Sequence, residues 1–309
     1  MNRILPICLA CFIPLAACSA QGAAISAPTP AASPVSAGVA LPVEPQPDSL
    51  PPASPLSLSL NSEVLEGTAW NGEAASLPQA LVDGQAELSC LLAEPSGATL
   101  LAQLSDKDIF LYGIWDEEYP EERCLLQLGD HAWVYDLPWA TPRCYLPRLC
   151  SGDFDGDGTE ELALLTYVGS GTGVSYWTLA LVELEGEIPT LRALSASSYE
   201  DALTPHFSCT YNDKTKQATL AFNGAQPEIL DFSHFTPSLP ADAQLSAAVG
   251  DWVEYTVEED AITVCLGVNL YGGDIPPTCL YPADLIGRVS YDGARFSLTH
   301  PSMTQTSGF

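Results

Sequence analysis

Basic residues are what this chain has least of: 10 Lys and Arg stand against 39 Asp and Glu in 309 residues, for a formal net charge of −29. Lysine occurs only as Lys107, Lys214 and Lys216. Binding to a phosphate backbone requires clustered positive charge, so this composition excludes nucleic acid as a partner. An excess of carboxylates favours solubility and the binding of cations instead. Long apolar runs are also missing. The longest, ILPICLACFIPLAA from Ile4 to Ala17, contains two prolines, is short for a bilayer span and has no basic flank after it. The chain lacks H-E-x-x-H and G-x-S-x-G, and His131, His206, His234 and His300 are isolated from one another in sequence. Neither a helical zinc-protease pair nor a nucleophile elbow is therefore encoded.

What is present begins with Arg3 followed by that apolar run, the shape of a secretory signal. The run ends in Leu15-Ala16-Ala17-Cys18, which resembles the lipobox of bacterial lipoproteins. The resemblance implies a signal peptide over residues 1–17, cleavage before Cys18, and a diacylglycerol on the Cys18 sulfur. The mature protein would then be lipid-anchored in the cell membrane, facing the extracytoplasmic side. An ordinary signal with a chance cysteine and an uncleaved anchor are the alternatives. Loss of Arg3 would take the mature chain to a net charge of −30. Residues 18–62 are rich in Ala, Ser and Pro without apolar periodicity. Such a segment cannot bury enough surface to offset its ordering entropy, and it reads as a disordered tether of roughly 35–40 Å reach.

Of the ten cysteines, Cys8 and Cys11 fall in the signal and Cys18 at the anchor, leaving Cys90, Cys124, Cys144, Cys150, Cys209, Cys265 and Cys279. None of these seven forms C-x-x-C, which argues against a zinc knuckle or a thioredoxin-like redox site. Export permits disulfides, an odd count leaves at least one thiol unpaired, and buried small hydrophobes are the other reading.

Beyond residue 100 the apolar runs are short, rich in Val, Ile, Leu, Tyr and Trp, and bounded by Gly, Asp, Pro or Asn, which predicts strands. Expected strands cover 109–115, 124–128, 132–136, 162–168, 174–184, 207–211, 217–222, 252–257, 261–268, 285–291 and 294–298. Hairpin turns are expected at Gly129-Asp130-His131, Asn212-Asp213-Lys214 and Asp292-Gly293. Helices are expected only at Leu77–Val82 and Ala241–Val249. The fold class is thus mainly β, with antiparallel sheets in a sandwich or partial-propeller-like arrangement. A Pro/Ala-rich stretch near 232–250 suggests a β domain over 63–235 and a smaller C-terminal β unit over 236–309, with a shared core left open.

The densest acidic stretch is DFDGDGTEEL, residues 153–162. Asp153, Asp155 and Asp157 with Gly158 match positions 1, 3, 5 and 6 of the calcium loop D-x-[DN]-x-[DN]-G-x5-E. Alternate spacing places those carboxylates inside one arc, and glycine permits the sharp turn. Position 12 is Leu164 rather than glutamate, and LALLTYV after the loop is a buried-strand pattern, so this is no EF-hand. Glu161 at position 9 can close the cage. A D-x-D-x-D-G-x-x-E loop leading into a strand resembles the calcium loops of FG-GAP and VCBS repeats in integrin-like propellers. The resemblance implies calcium held by the side chains of Asp153, Asp155, Asp157 and Glu161 and by the carbonyl of Thr159. Those repeats usually carry aspartate at position 9 and recur around a propeller, whereas one copy occurs here.

Other constellations carry less. GSGTG at 169–173 lacks the lysine and helix of a phosphate loop and reads as a hairpin connection. WDEEYPEE at 115–122 reads as a solvated turn or a second cation site. Trp115, Tyr119, Trp133, Tyr135 and Trp139 read as core at alternating positions, or as a sugar-stacking surface. Together these features point to a lipid-anchored calcium-binding protein serving as a binding or scaffolding module at the cell envelope, its partner a cell-surface glycan or protein. The alternative is an extracytoplasmic hydrolase of glycan or peptide with a structural calcium ion.

Overall fold

The computed structural model describes residues 56–83, 97–115, 123–139, 145–195, 197–223, 226–233, 239, 243–272 and 281–306. The strands in chain order are β1 (Ser57–Leu60), β2 (Ser62–Leu65), β3 (Thr68–Ala69), β4 (Ala98–Leu104), β5 (Ile109–Ile114), β6 (Arg123–Leu128), β7 (His131–Tyr135), β8 (Arg148–Gly152), β9 (Glu161–Gly171), β10 (Val174–Glu183), β11 (Thr190–Leu194), β12 (Phe207–Asn212), β13 (Gln217–Phe222), β14 (Glu228–Asp231), β15 (Ser246–Glu258), β16 (Ala261–Tyr271), β17 (Ala283–Tyr291) and β18 (Phe296–Gln305). One short helix, α1 (Ser198–Leu203), buries Tyr199 and Leu203. Among the described residues no helix is long and apolar enough to cross a membrane.

The mainly β, antiparallel fold expected from the strand patterns is what forms. Ten strands make the largest sheet, running β1-β18-β17-β16-β15-β10-β11-β2, with β9 joined to β10 and β8 to β9. A five-stranded sheet runs β3-β7-β6-β5-β4, and β12-β13-β14 form a third. Alternation explains the faces: Ile262, Val264, Leu266, Val268 and Leu270 of β16 all enter the largest core, while Thr263 is exposed.

Strand β9 organises the molecule because both of its faces are buried. Ala163 and Leu165 enter the largest core. Leu162 and Leu164 enter a second core against Leu111, Leu126, Trp133 and Tyr135 of the five-stranded sheet. A strand covered on both sides loses the polar alternation of a half-exposed one, which is why LALLTYV is almost continuously apolar. Each fully buried leucine here contributes about 1.5–3 kcal/mol relative to exposure.

Several expectations are corrected. Leu77–Val82 is not helical: a 3-10 turn at Ala74–Ser76 precedes extended chain, and Leu81 bridges Leu100. Extended chain lets Leu77 and Val82 reach two different cores, which one turn or two of helix would not span. Of Ala241–Val249, residues 241–242 lie outside the described residues, and 246–249 are strand, pairing with 268–271. The tether ends earlier than residue 62, because Ser57–Leu60 pairs with Thr299–Phe296 and Leu60 is buried. The core is shared across the 235/236 division, a point the sequence left open: β15 to β18 continue the sheet of β10, and residues from both segments enter the largest core. The strands beyond the boundary return to the same sheet.

Candidate metal centre

The loop of residues 153–160 joins β8 to β9, whose ends meet at the Gly152 and Glu161 pair. Its alternation is physical: Phe154 turns inward and is buried in the largest core, while the flanking aspartates turn the other way. One ligand oxygen from each of Asp153, Asp155, Asp157 and Glu161 lies within 4.8 Å of the others. All four acidic side chains expected from the sequence are thus brought together, and the cluster can hold a metal ion.

The loop amides fix those side chains. Asp153 accepts the Gly156 N–H on Oδ1 at 2.8 Å and the Gly158 N–H on Oδ2 at 3.1 Å. Asp155 Oδ1 accepts the Asp157 N–H at 3.0 Å, and Asp157 Oδ1 accepts the Thr159 N–H at 2.7 Å. Such local bonds are what short acidic side chains make in turns. Gly156 and Gly158 have φ of +81° and +93°, conformations that side-chain-bearing residues adopt only with strain. Thr159, expected to ligate through its carbonyl, is half-buried at the far end of the arc.

Glu161 differs from the other three because it is 1% exposed. Its Oε2 accepts the Phe154 N–H at 2.7 Å. Burial foremost, with Asp155 and Glu183 adding negative charge nearby, pushes its carboxyl up to about 7 against the lowering effect of that hydrogen bond. Glu183 is its direct cross-strand partner. Like charges facing each other across a ladder are destabilising, although the Tyr291 hydroxyl donates to Glu183 Oε1 at 2.6 Å. A cation at the cluster would offset this crowding of charge.

Sequence reading missed the surroundings of the loop, which come from the C-terminal third. Asp260, in the β15–β16 turn, accepts the Asp153 N–H at 3.0 Å. A Cβ on Gly152 would lie 2.7 Å from the Glu259 carbonyl, so only glycine admits that turn. A Cβ on Gly293, in the β17–β18 turn, would lie 3.0 Å from Asp155 Oδ2. These partners are about a hundred residues or more away in the chain, and no local pattern signals them. Glu160, the outward acidic residue, pairs instead with Lys107.

The remaining features resolve simply. Residues 169–173 lie at the β9–β10 hairpin, where Gly171 pairs Val174. Trp133, Tyr135 and Trp139 are core, while Tyr119 and the acidic run 116–122 lie outside the described residues. Cys124, Cys150, Cys209 and Cys265 are free thiols. Cys18, Cys90, Cys144, Cys279 and His234 lie outside the described residues. No family model, curated protein or solved structure matches this chain.

Proposed function

We propose that this protein is a lipid-anchored, extracytoplasmic calcium-binding protein whose β ectodomain serves as a binding or scaffolding module at the cell envelope. The observation that carries the metal reading is the convergence of four carboxylates within 4.8 Å in a loop held by its own amides. Calcium is preferred to magnesium because every donor is oxygen, four of them are protein carboxylates, and magnesium retains its waters rather than accepting an all-protein cage. Asp153, Asp155, Asp157 and Glu161 would supply carboxylate oxygens and Thr159 its carbonyl, as in the FG-GAP and VCBS loops that DFDGDGTEEL resembles. The ion's work is structural, since the loop delivers the chain into β9, the strand both cores share.

Extracellular modules of this kind hold calcium at roughly 10⁻⁴ to 10⁻³ M, so the ion would be resident rather than a signal. Calorimetric titration with calcium and with magnesium tests this: calcium should bind one site in that range and magnesium much more weakly. Absence of calcium heat at millimolar concentration would refute it. The anchor rests on Leu15-Ala16-Ala17-Cys18. Wild-type protein should carry diacylglycerol and partition with membranes, whereas Cys18→Ala should not be acylated. Recovery of wild-type protein cleaved elsewhere without lipid would remove the anchor from this reading.

A further inference from the structure

We propose that the cleft between β10 and β15 binds a neutral glycan. This extends the binding-module reading to a site distinct from the acidic loop, and it requires no metal. The two strands pair in parallel only at Ser175 with Trp252 and Tyr176 with Val253. Further on, β10 pairs β11 on that edge instead. The divergence leaves a cavity of about 310 Å³ lined by Arg148, Trp177, Glu254, Thr256, Thr263 and Cys265. That is the small end of the range for ligand pockets, matching one or two sugar rings.

One wall is a fixed cation. The Arg148 guanidinium lies over the Trp177 ring at 4.4 Å from its centroid, and its Nη2 donates to the Tyr255 carbonyl at 3.3 Å. Among the described residues it makes no ion pair, in a chain with 39 carboxylates. Its remaining N–H groups are pre-oriented by the stack and the carbonyl. The facing wall is the outer side of the β15–β16 ladder, where Glu254 stands opposite Cys265 and Thr256 opposite Thr263. Tyr255 and Val264 are buried in the core behind that wall. Tyr145, 38% exposed, leans edge-on against Tyr167 at 4.7 Å and lies 6.1 Å from Trp177.

Charge and polarity select the ligand. Arg148 disfavours a cation. Glu254 and the net charge of −29 disfavour an anion. A wall of arginine, carboxylate and two hydroxyls disfavours an apolar molecule, which would leave those groups unpaired. A neutral ligand with neighbouring hydroxyls satisfies all of them, because each hydroxyl both donates and accepts: to Glu254, from Arg148, and with either threonine.

The test uses full-length protein in a detergent without sugar headgroups. Saturation-transfer NMR is run with cellobiose, maltose and diacetylchitobiose, with glycerol, digalacturonate and spermidine as controls, each in calcium and in chelator. At least one neutral disaccharide should bind saturably with a dissociation constant of about 1 mM or tighter, in both conditions. Arg148→Met should weaken it about tenfold or more, and Thr263→Val, at an exposed position that the fold does not need, about threefold to tenfold. The proposal is overturned if no disaccharide binds, if glycerol binds equally well, if an Arg148-dependent signal comes only from digalacturonate or spermidine, or if both variants bind like wild type. Because binding is read with and without calcium, failure of the metal reading would leave this result interpretable by itself.

Discussion

Replacing Asp155 by asparagine separates the two roles its carboxylate has in the acidic loop. Its Oδ1 accepts the Asp157 N–H at 3.0 Å, and an asparagine oxygen can do the same. Its charge, however, lies within 4.8 Å of three other carboxylates. Two unit charges at that distance repel by about 1 kcal/mol in water and about 3 kcal/mol at an effective dielectric of 20, and a half-exposed loop sits near the lower figure. In chelator, Asp155→Asn should therefore be as stable as wild type or more so, by about 1–3 kcal/mol. With calcium at ten times its dissociation constant the wild type gains about 1.4 kcal/mol, and the variant gains almost nothing. For a domain of this size 1 kcal/mol moves Tm by about 2–4 °C, so wild type should rise about 3–6 °C on adding calcium while the variant stays level. Scanning calorimetry of both proteins in chelator, calcium and magnesium reads all of this. Glu160→Ala is the control, since an exposed ion pair with Lys107 contributes about 0–1 kcal/mol and should leave the calcium response intact. Two results would refute the reasoning: a wild-type Tm indifferent to chelator, or an Asp155→Asn variant equally destabilised with and without calcium, which would make Asp155 a turn former only.

Glu161→Leu should cost about 1–3 kcal/mol even in chelator, because the buried Phe154 N–H loses its acceptor, whereas Glu161→Gln keeps an acceptor and should lose only the calcium response; equal Tm values for the two variants in chelator would contradict this. Deleting residues 22–55 should shift Tm by no more than a few degrees, while Leu60→Ala should destabilise by about 2–5 kcal/mol, because Leu60 is 4% exposed in the largest core; chemical denaturation compares them, and a neutral Leu60→Ala would mean that β1 is not held as described. Burial pushes the Cys209 and Cys265 thiols up to about 11 and Cys124 higher still, so the reactive thiolate is scarce at pH 8. Alkylation of the buried Cys124, read by peptide mass spectrometry, should be slow in native protein and fast in guanidinium, and equal rates would contradict its burial.

The acidic loop was legible because its chemistry is local. Charges at alternate positions with a glycine at the tight turn occupy one short stretch, and the Asp153, Asp155, Asp157 and Glu161 oxygens converge through bonds to amides a few residues away. The β class was legible for a similar reason, since period-two patterns such as that of β16 record a half-buried face directly. LALLTYV was readable as a buried strand, but not which cores it divides. Leu77–Val82 misled because a six-residue apolar stretch is ambiguous, and only the positions of two separate cores decide that it runs extended. The return of β15 to the edge of β10, the seating of Asp260 and Gly293 beside the loop, and the cleft that places Arg148 opposite Glu254 all join residues far apart in the chain. Such contacts depend on strand order and register, which arise from how the faces of many strands are buried together, and no single stretch of sequence carries that information.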